Sequence, residues 1–437
     1  MYKLFIIILL GLFNTPLLAQ NLVDIYQLAE QNDASIRIAR ANYEAAKESL
    51  PIAISTRRPQ VNLSAQQSIS ETNNSRTSIS TATGNNTTEN LGYTLSLSQT
   101  LYNAETSAQV DSAEATVLQA AADYEAAQQE LIIRVANSYF DILSAQDSVK
   151  FSRAEQNAIA RQLEQAQKRF EVGLIAITDV HEAQALYDSA LAQTLLAENV
   201  LDNAFQALQV IIAQPSSSSL AELGKELPLI IPQPADIQAW VDISLQNNKN
   251  LIAALAASQA AKFELQRQSR THYPTVDFSA SYTDSWIDDD QFGDSNQDDI
   301  SLRVQLNVPL FTGGRIDATR QQAASAYLSA QNTALLQNRL TSQQTRIAYL
   351  GVVSGIGQVK AFKQALNSSM TALEATEAGF EVGTRTSVDV LASLRDTFRA
   401  QRDYSSSRYD YLINTLTLKQ AAGLLTADDL SVINRWL

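Results

Sequence analysis

One eleven-residue pattern occurs twice, and it commits most of the chain to long helical hairpins. Residues 170–180 open Phe-Glu-Val-Gly and close Thr-Asp-Val, and residues 380–390 open Phe-Glu-Val-Gly and close Val-Asp-Val. Gly173 and Gly383 stand 210 residues apart, as do Asp179 and Asp389. That period is too long for a solenoid unit, so the pattern marks a duplicated half-chain. Each copy is approached by a heptad seam in the same register: Ile142, Val149, Gln156, Leu163 and Phe170 in one half, Val352, Val359, Leu366, Leu373 and Phe380 in the other. The companions of the first seam, Ala145, Ser152, Ile159 and Ala166, are mostly small and allow close helix approach. Both seams resume beyond the glycine, at Val180, Tyr187 and Leu201 and at Val390, Thr397, Tyr404 and Tyr411. Gly173 and Gly383 are therefore expected to be left-handed stops that turn a helix back on itself. Thr178 or Asp179, and Ser387 or Asp389, are expected to cap the returning helices.

The rest of the composition agrees. Only 14 Gly and 9 Pro punctuate 437 residues, which favours unusually long helices. A net charge of −14 leaves no basic patch to hold nucleic acid. The absence of cysteine excludes disulfides, thiolate catalysis, cysteine zinc sites and a lipid-modified N-terminal cysteine. At the start, Lys3 precedes an apolar run over 4–13 that ends at Pro16-Leu-Leu-Ala19, the pattern of a secretory signal peptide over 1–19 cut after Ala19. No later run reaches the ~20 apolar residues of a spanning helix.

In order, a first structural repeat over 20–213 opens with a helix from Asn21 that ends at Pro51. Alternating apolar and polar residues then predict strands over about 61–71 and 91–101, joined by a polar loop over 72–90. Long helices are expected over about 103–172 and 178–213, the first with seam residues Val110, Val117, Tyr124 and Leu131 before a stutter to Ile142. Residues 214–236, rich in Ser and Pro, read as a linker. The second repeat, 237–425, brings a helix over 237–268, strands over about 275–283 and 300–310 around an acidic loop at 284–299, and helices over 314–382 and 387–423. Residues 426–437 form a C-terminal segment.

Strands of this length and alternation, one long polar loop per pair, carry the signature of an outer-membrane barrel, although any one of them would also suit a soluble sheet. Four strands cannot close a barrel, and lipid does not tolerate an open edge. Membrane strands here must come from several subunits, in a number the pattern leaves open.

The paired Phe-Glu-Val-Gly motifs, the run from Gly383 to Leu391 and the run Arg408-Tyr-Asp-Tyr-Leu-Ile-Asn414 resemble the TolC family of outer-membrane efflux proteins over nearly the whole chain. The resemblance implies a mixed α and β membrane protein. Four strands per protomer of a homotrimer make a 12-stranded transmembrane β-barrel, continued by an α-helical coiled-coil barrel, with residues 214–236 and 426–437 in an equatorial region. It implies an exit duct in the outer-membrane lipid of a Gram-negative cell, reaching into the periplasm. Its partners would be a periplasmic adaptor and an inner-membrane pump, its cargo small-molecule drugs and proteins of type I secretion, and its visitors at the extracellular loops colicins or phage. The hairpin tips, with Val172, Gly173, Val382 and Gly383, would meet the adaptor away from the membrane. A periplasmic gate would join Arg385 to Thr178 and Asp179 of an adjacent hairpin and Gln162 to Glu377. Phe380 stands where the family's gate often has a tyrosine, and Ala392 where a second aspartate ring would lie, which leaves Asp389 as the single acidic ring at the constriction.

No catalytic constellation, cofactor fingerprint or metal spacing is present in the sequence. His181 and His272 lie in different regions without companion ligands, and Gly351, Gly355 and Gly357 sit inside a helical pattern where close packing accounts for them. Two other function classes suit parts of the pattern: a soluble periplasmic coiled-coil scaffold and a one-chain porin.

Overall fold

The computed structural model describes residues 20–74, 84–215, 220–224, 226–290 and 293–437; the expected signal peptide and the middle of the loop over 72–90 lie outside them. The described elements are α1 (Leu22–Asn32), α2 (Ala34–Lys47), α3 (Ser49–Ser55), β1 (Gln60–Asn74), β2 (Gly84–Asn103), α4 (Glu105–Glu171), α5 (Ile177–Ile212), α6 (Ile237–Asn247), α7 (Lys249–Ser269), β3 (Thr275–Asp289), β4 (Ser295–Asn307), α8 (Arg315–Glu381), α9 (Ser387–Ala421) and α10 (Ala427–Asn434). Helices α4 and α8 have 67 residues each, about 100 Å at 1.5 Å per residue. The described residues divide into two compact units, one within 20–38, 126–248 and 340–437 and one within 39–125 and 249–339.

The second unit holds one antiparallel sheet in the order β1-β2-β3-β4. Its register stacks apolar residues on one face: Leu63 opposes Leu95, Leu95 opposes Tyr282, and Tyr282 opposes Ile300. One row on, Val61, Leu97, Ala280 and Leu302 oppose one another in the same way. The other face of those rows is Asn62, Ser96, Ser281 and Ser301, and Ser64, Thr94, Thr283 and Asp299. Leu63, Ile300 and Leu302 remain 73–74% exposed, so among the described residues nothing covers this face there. In the same unit Tyr43 stacks on Tyr124 with ring centroids 5.7 Å apart, fastening α2 to α4.

The strands outrun their expected lengths. The hairpin β1–β2 continues through the polar stretch, where Glu71 opposes Thr87 and the Asn85 amide donates to Glu71 at 3.0 Å. Backbone pairing and side-chain ladders sustain a strand without apolar residues, so much of the expected loop is sheet. Likewise Asp288 and Asp289 belong to β3, and Asp298 and Asp299 to β4. β4 ends at Asn307 instead of reaching 310, because Pro309 has no N–H for the ladder.

The first unit packs the remaining long-helix segments around Tyr139, Phe140, Ile142, Leu208, Leu412 and Leu416, all almost fully buried. Phe140 lies edge-on to Tyr139 at 5.7 Å and stacked on Tyr409 at 5.8 Å. The Tyr139 hydroxyl donates to the Ala221 carbonyl at 2.8 Å and ties the linker to α4. The expected single helix from Asn21 is broken at Asp33, and the one over 237–268 at Asn248, both in extended backbone. Asp33 is 3% exposed; it accepts from the Ile36 amide at 2.9 Å and takes both Arg134 nitrogens at 2.9 and 3.0 Å. Burial alone would raise this carboxyl, but Arg134 and the local amides hold it below its ordinary value, so its contribution to stability is present above the carboxylate range and lost as pH falls through it. Pro51 does not end a helix either. It sits in the first turn of α3, where its missing N–H has no intrahelical partner to lose.

Candidate functional site: the paired hairpin tips

Both tips belong to the first unit and share one backbone solution. Gly173 has φ of +74° and Gly383 of +79°. The Gly173 amide donates to Phe170 O at 2.9 Å and the Leu174 amide to Arg169 O at 2.9 Å; the Gly383 amide donates to Phe380 O at 3.1 Å and the Thr384 amide to Gly379 O at 2.8 Å. These bonds close the last helical carbonyls, and the left-handed residue they need is one glycine supplies without strain.

The caps differ from expectation. The N-cap of α5 is Ala176, which has no side-chain acceptor, so Thr178 and Asp179 fall inside the first turn. The N-cap of α9 is Thr386, one residue before Ser387. Thr386 and Asp389 form a capping box: the Asp389 amide donates to Thr386 Oγ1 at 3.2 Å, and the Thr386 amide and hydroxyl each donate to Asp389 Oδ2 at 2.9 Å. The Thr386 amide first, then its hydroxyl, and then the charge of Arg385 hold the Asp389 carboxyl below its ordinary value.

The two hairpins of one chain pack against each other through Ile159, Leu163, Ala166, Ala183, Ala190, Leu391 and Leu394. Of the expected seam residues, Leu163 with its companions Ile159 and Ala166 belongs to this interface and Leu373, Val180 and Tyr187 pack against it; Val352, Val359 and Val390 are buried, and Phe170 is 42% exposed. At the tips the tie is ionic and aromatic: the Arg169 guanidinium lies 4.4 Å from the Phe380 ring centroid. Phe380 thus has a partner that needs no hydroxyl. Neither Arg169 nor Gly379, where a Cβ would approach Arg385 Cγ to 2.8 Å, stood out in the sequence. Only a glycine just ahead of the second tip could have signalled the close return. Phe380→Leu keeps an apolar contact and removes the ring, and is expected to cost about 0.5–1 kcal/mol in thermal unfolding, with Phe380→Tyr unchanged.

The other expected gate residues stand apart within one chain. Among the described residues, no hydrogen bond joins Arg385 to Thr178 or Asp179, or Gln162 to Glu377; Thr178 Oγ1 donates to Asp179 Oδ1 at 3.4 Å. Val172 and Val382 are 69% and 75% exposed, an apolar residue presented at each tip. His181 and His272 are exposed, and no group of described residues could hold a metal ion. Gly351 and Gly355 pack on Asn414 and Tyr411, while Gly357 has open space around it.

The sequence matches the model of the family described as "Outer membrane efflux protein" over residues 25–214 and again over 240–424. The chain belongs to the outer membrane efflux protein family. It is an outer-membrane protein and not an enzyme. It is 36% identical to outer membrane protein TolC of Vibrio cholerae over 438 residues, covering 99% of this chain and 98% of that one. It is also 28% identical to the alkaline protease secretion protein AprF of Pseudomonas aeruginosa, covering 95% of this chain and 87% of that one. The fold is that of outer-membrane channels: the crystal structure of VceC from Vibrio cholerae superposes with a TM-score of 0.76 at 20% identity, covering 92% of this chain and 96% of that one.

Proposed function

We propose that three copies of this chain form an exit duct through the outer membrane, opened at its periplasmic end by an adaptor and an inner-membrane pump. The observation that carries the reading is the sheet: four strands, one largely apolar face left exposed among the described residues, and unpaired edges on β1 and β4. An open edge in lipid leaves backbone groups unsatisfied, so β4 of one copy must meet β1 of the next until the ring closes. Apolar residues of this face run from Val276 to Trp286, ten residues along β3, interrupted by Asp284 opposite Asp298. At ~3.4 Å per residue and a tilt near 45° that is roughly 24 Å, the height of the lipid-facing band of such barrels. Twelve strands, four from each chain, follow from three copies, a number taken from the family resemblance. The two family matches and the equal lengths of α4 and α8 support a duplicated half-chain. Drugs are the favoured cargo, and the likeness to a protease secretion protein supports protein export as well. Adaptor contact falls on Val172, Gly173, Val382 and Gly383, and the gate joins Arg385 to Thr178 and Asp179 of an adjacent hairpin, with Gln162 and Glu377 as a second link.

Fractionation with crosslinking tests this. Trimers recovered with the outer membrane are expected. Protein confined to the soluble periplasmic fraction would establish the scaffold reading instead, and monomers alone in the membrane would overturn the three-copy duct.

A further inference from the structure

Gly379 lies two residues before the end of α8 in right-handed helical backbone, so its conformation needs no glycine. Inside a helix glycine is also a poorer choice than alanine. The turn does not account for it. Gly383 supplies the positive φ at this tip, and the first tip closes in the same way with Arg169 at the corresponding place, 210 residues earlier, its carbonyl accepting from the Leu174 amide at 2.9 Å. What the missing Cβ serves is the chain that returns over it. The Gly379 carbonyl accepts from the Thr384 amide at 2.8 Å, the Arg385 amide at 3.2 Å and the Thr384 hydroxyl at 3.0 Å. A Cβ on Gly379 would stand 2.8 Å from Arg385 Cγ and 3.2 Å from Thr384 Oγ1, so the Arg385 stem occupies the space that a side chain would fill. At the first tip the corresponding pair is Arg169 and Ile175, and Ile175 packs against the apolar interface between the hairpins.

A side chain as long as arginine loses much rotamer freedom when it makes a fixed contact. Seating its first carbons against backbone selects one of the few staggered χ1 wells before the guanidinium meets anything. We infer that Gly379 is a positioning residue of the periplasmic gate: its missing Cβ seats Arg385 on the last turn of α8 and so sets the direction in which the guanidinium reaches Thr178 and Asp179 of the adjacent hairpin. The inference rests on the reading above, in which Arg385 makes that link.

Single-channel conductance of the full-length protein in planar bilayers tests it, with native gels to establish that trimers form. Gly379→Ala is expected to raise conductance to the level of Arg385→Ser, and adding it to Arg385→Ser is expected to change nothing further, since both act through one side chain. Gly379→Ser carries the same Cβ and should match Gly379→Ala. Gly357→Ala makes the same change within α8 where a Cβ meets nothing within 4 Å, and should leave conductance as it is. A rise in Arg385→Ser with Gly379→Ala and Gly379→Ser unchanged would overturn the positioning role. A further rise on adding Gly379→Ala to Arg385→Ser would overturn it too, because the substitution would then be loosening the end of α8 itself. Conductance unchanged in Arg385→Ser would instead overturn the link beneath the inference.

Discussion

Gly383→Val is expected to abolish drug efflux while trimers still reach the outer membrane, and Gly383→Asn to keep much of the activity. Space is not the obstacle, since nothing lies within 4 Å of a Cβ built on Gly383. The obstacle is a φ of +79°, which costs an ordinary L-residue about 1–2 kcal/mol, is worst for a β-branched side chain, and is tolerated by asparagine. Valine would relieve that strain by giving up the bonds from the Gly383 amide to Phe380 O and from the Thr384 amide to Gly379 O. Residues 384–386, which carry Arg385 and the cap of α9, would then move. Gly173→Val should act in the same way at the first tip, where φ is +74°. Drug susceptibility of cells relying on each variant, with native gels for assembly, decides the matter. Full efflux in both valine variants would show that the tips do not dock the adaptor. Loss of efflux in the asparagine variant as well would mean that side-chain bulk, more than backbone strain, keeps the partner away.

What could be read from the sequence was whatever repeats locally. Seven-residue spacing placed Leu163 in the helix interface and marked Val352, Val359 and Val390 as buried, and period-two alternation placed Leu63, Leu95, Tyr282 and Ile300 on one face of the sheet. The turn glycines were legible for a similar reason, because a helix seam that stops and resumes needs a residue able to adopt positive φ. What escaped depends on partners distant in sequence. The breaks at Asp33 and Asn248 are held by Arg134 and by the Ala421 carbonyl, about a hundred residues or more away along the chain. Arg169 meets Phe380 only because two hairpins pack side by side. The cap at Thr386 was missed by one residue, since Ser387 and Thr386 are equally good acceptors and only the chain's path chooses between them.

That capping box decides how the acid at the second tip should behave. Three Asp389 carboxylates facing one another at a constriction would repel, and repulsion can be relieved by taking up a proton or by binding a cation. Within each chain the Thr386 amide and hydroxyl and the nearby Arg385 all favour the charged form and hold the carboxyl below its ordinary value. Binding a cation is therefore the favoured relief at neutral pH. A group with a depressed folded-state pKa contributes its stabilisation above the unfolded value and loses it as pH falls through the folded one. Cation selectivity in planar bilayers is accordingly expected to hold as pH drops from 7 to about 4 and to fade only below that. Asp389→Asn should lower the selectivity and weaken block by multivalent cations from the periplasmic side at pH 7, while its amide oxygen can still accept from the Thr386 amide. Asp389→Ala should do the same and also lose the cap, so agreement between the two variants assigns the effect to charge. Thr386→Val is the complementary test: it removes the hydroxyl, keeps the acid, and should move the fading of selectivity to higher pH. Arg385→Ser should raise single-channel conductance by releasing the link to the adjacent hairpin. Selectivity unchanged in Asp389→Asn would place the filter elsewhere in the duct, and unchanged conductance in Arg385→Ser would remove the proposed lock.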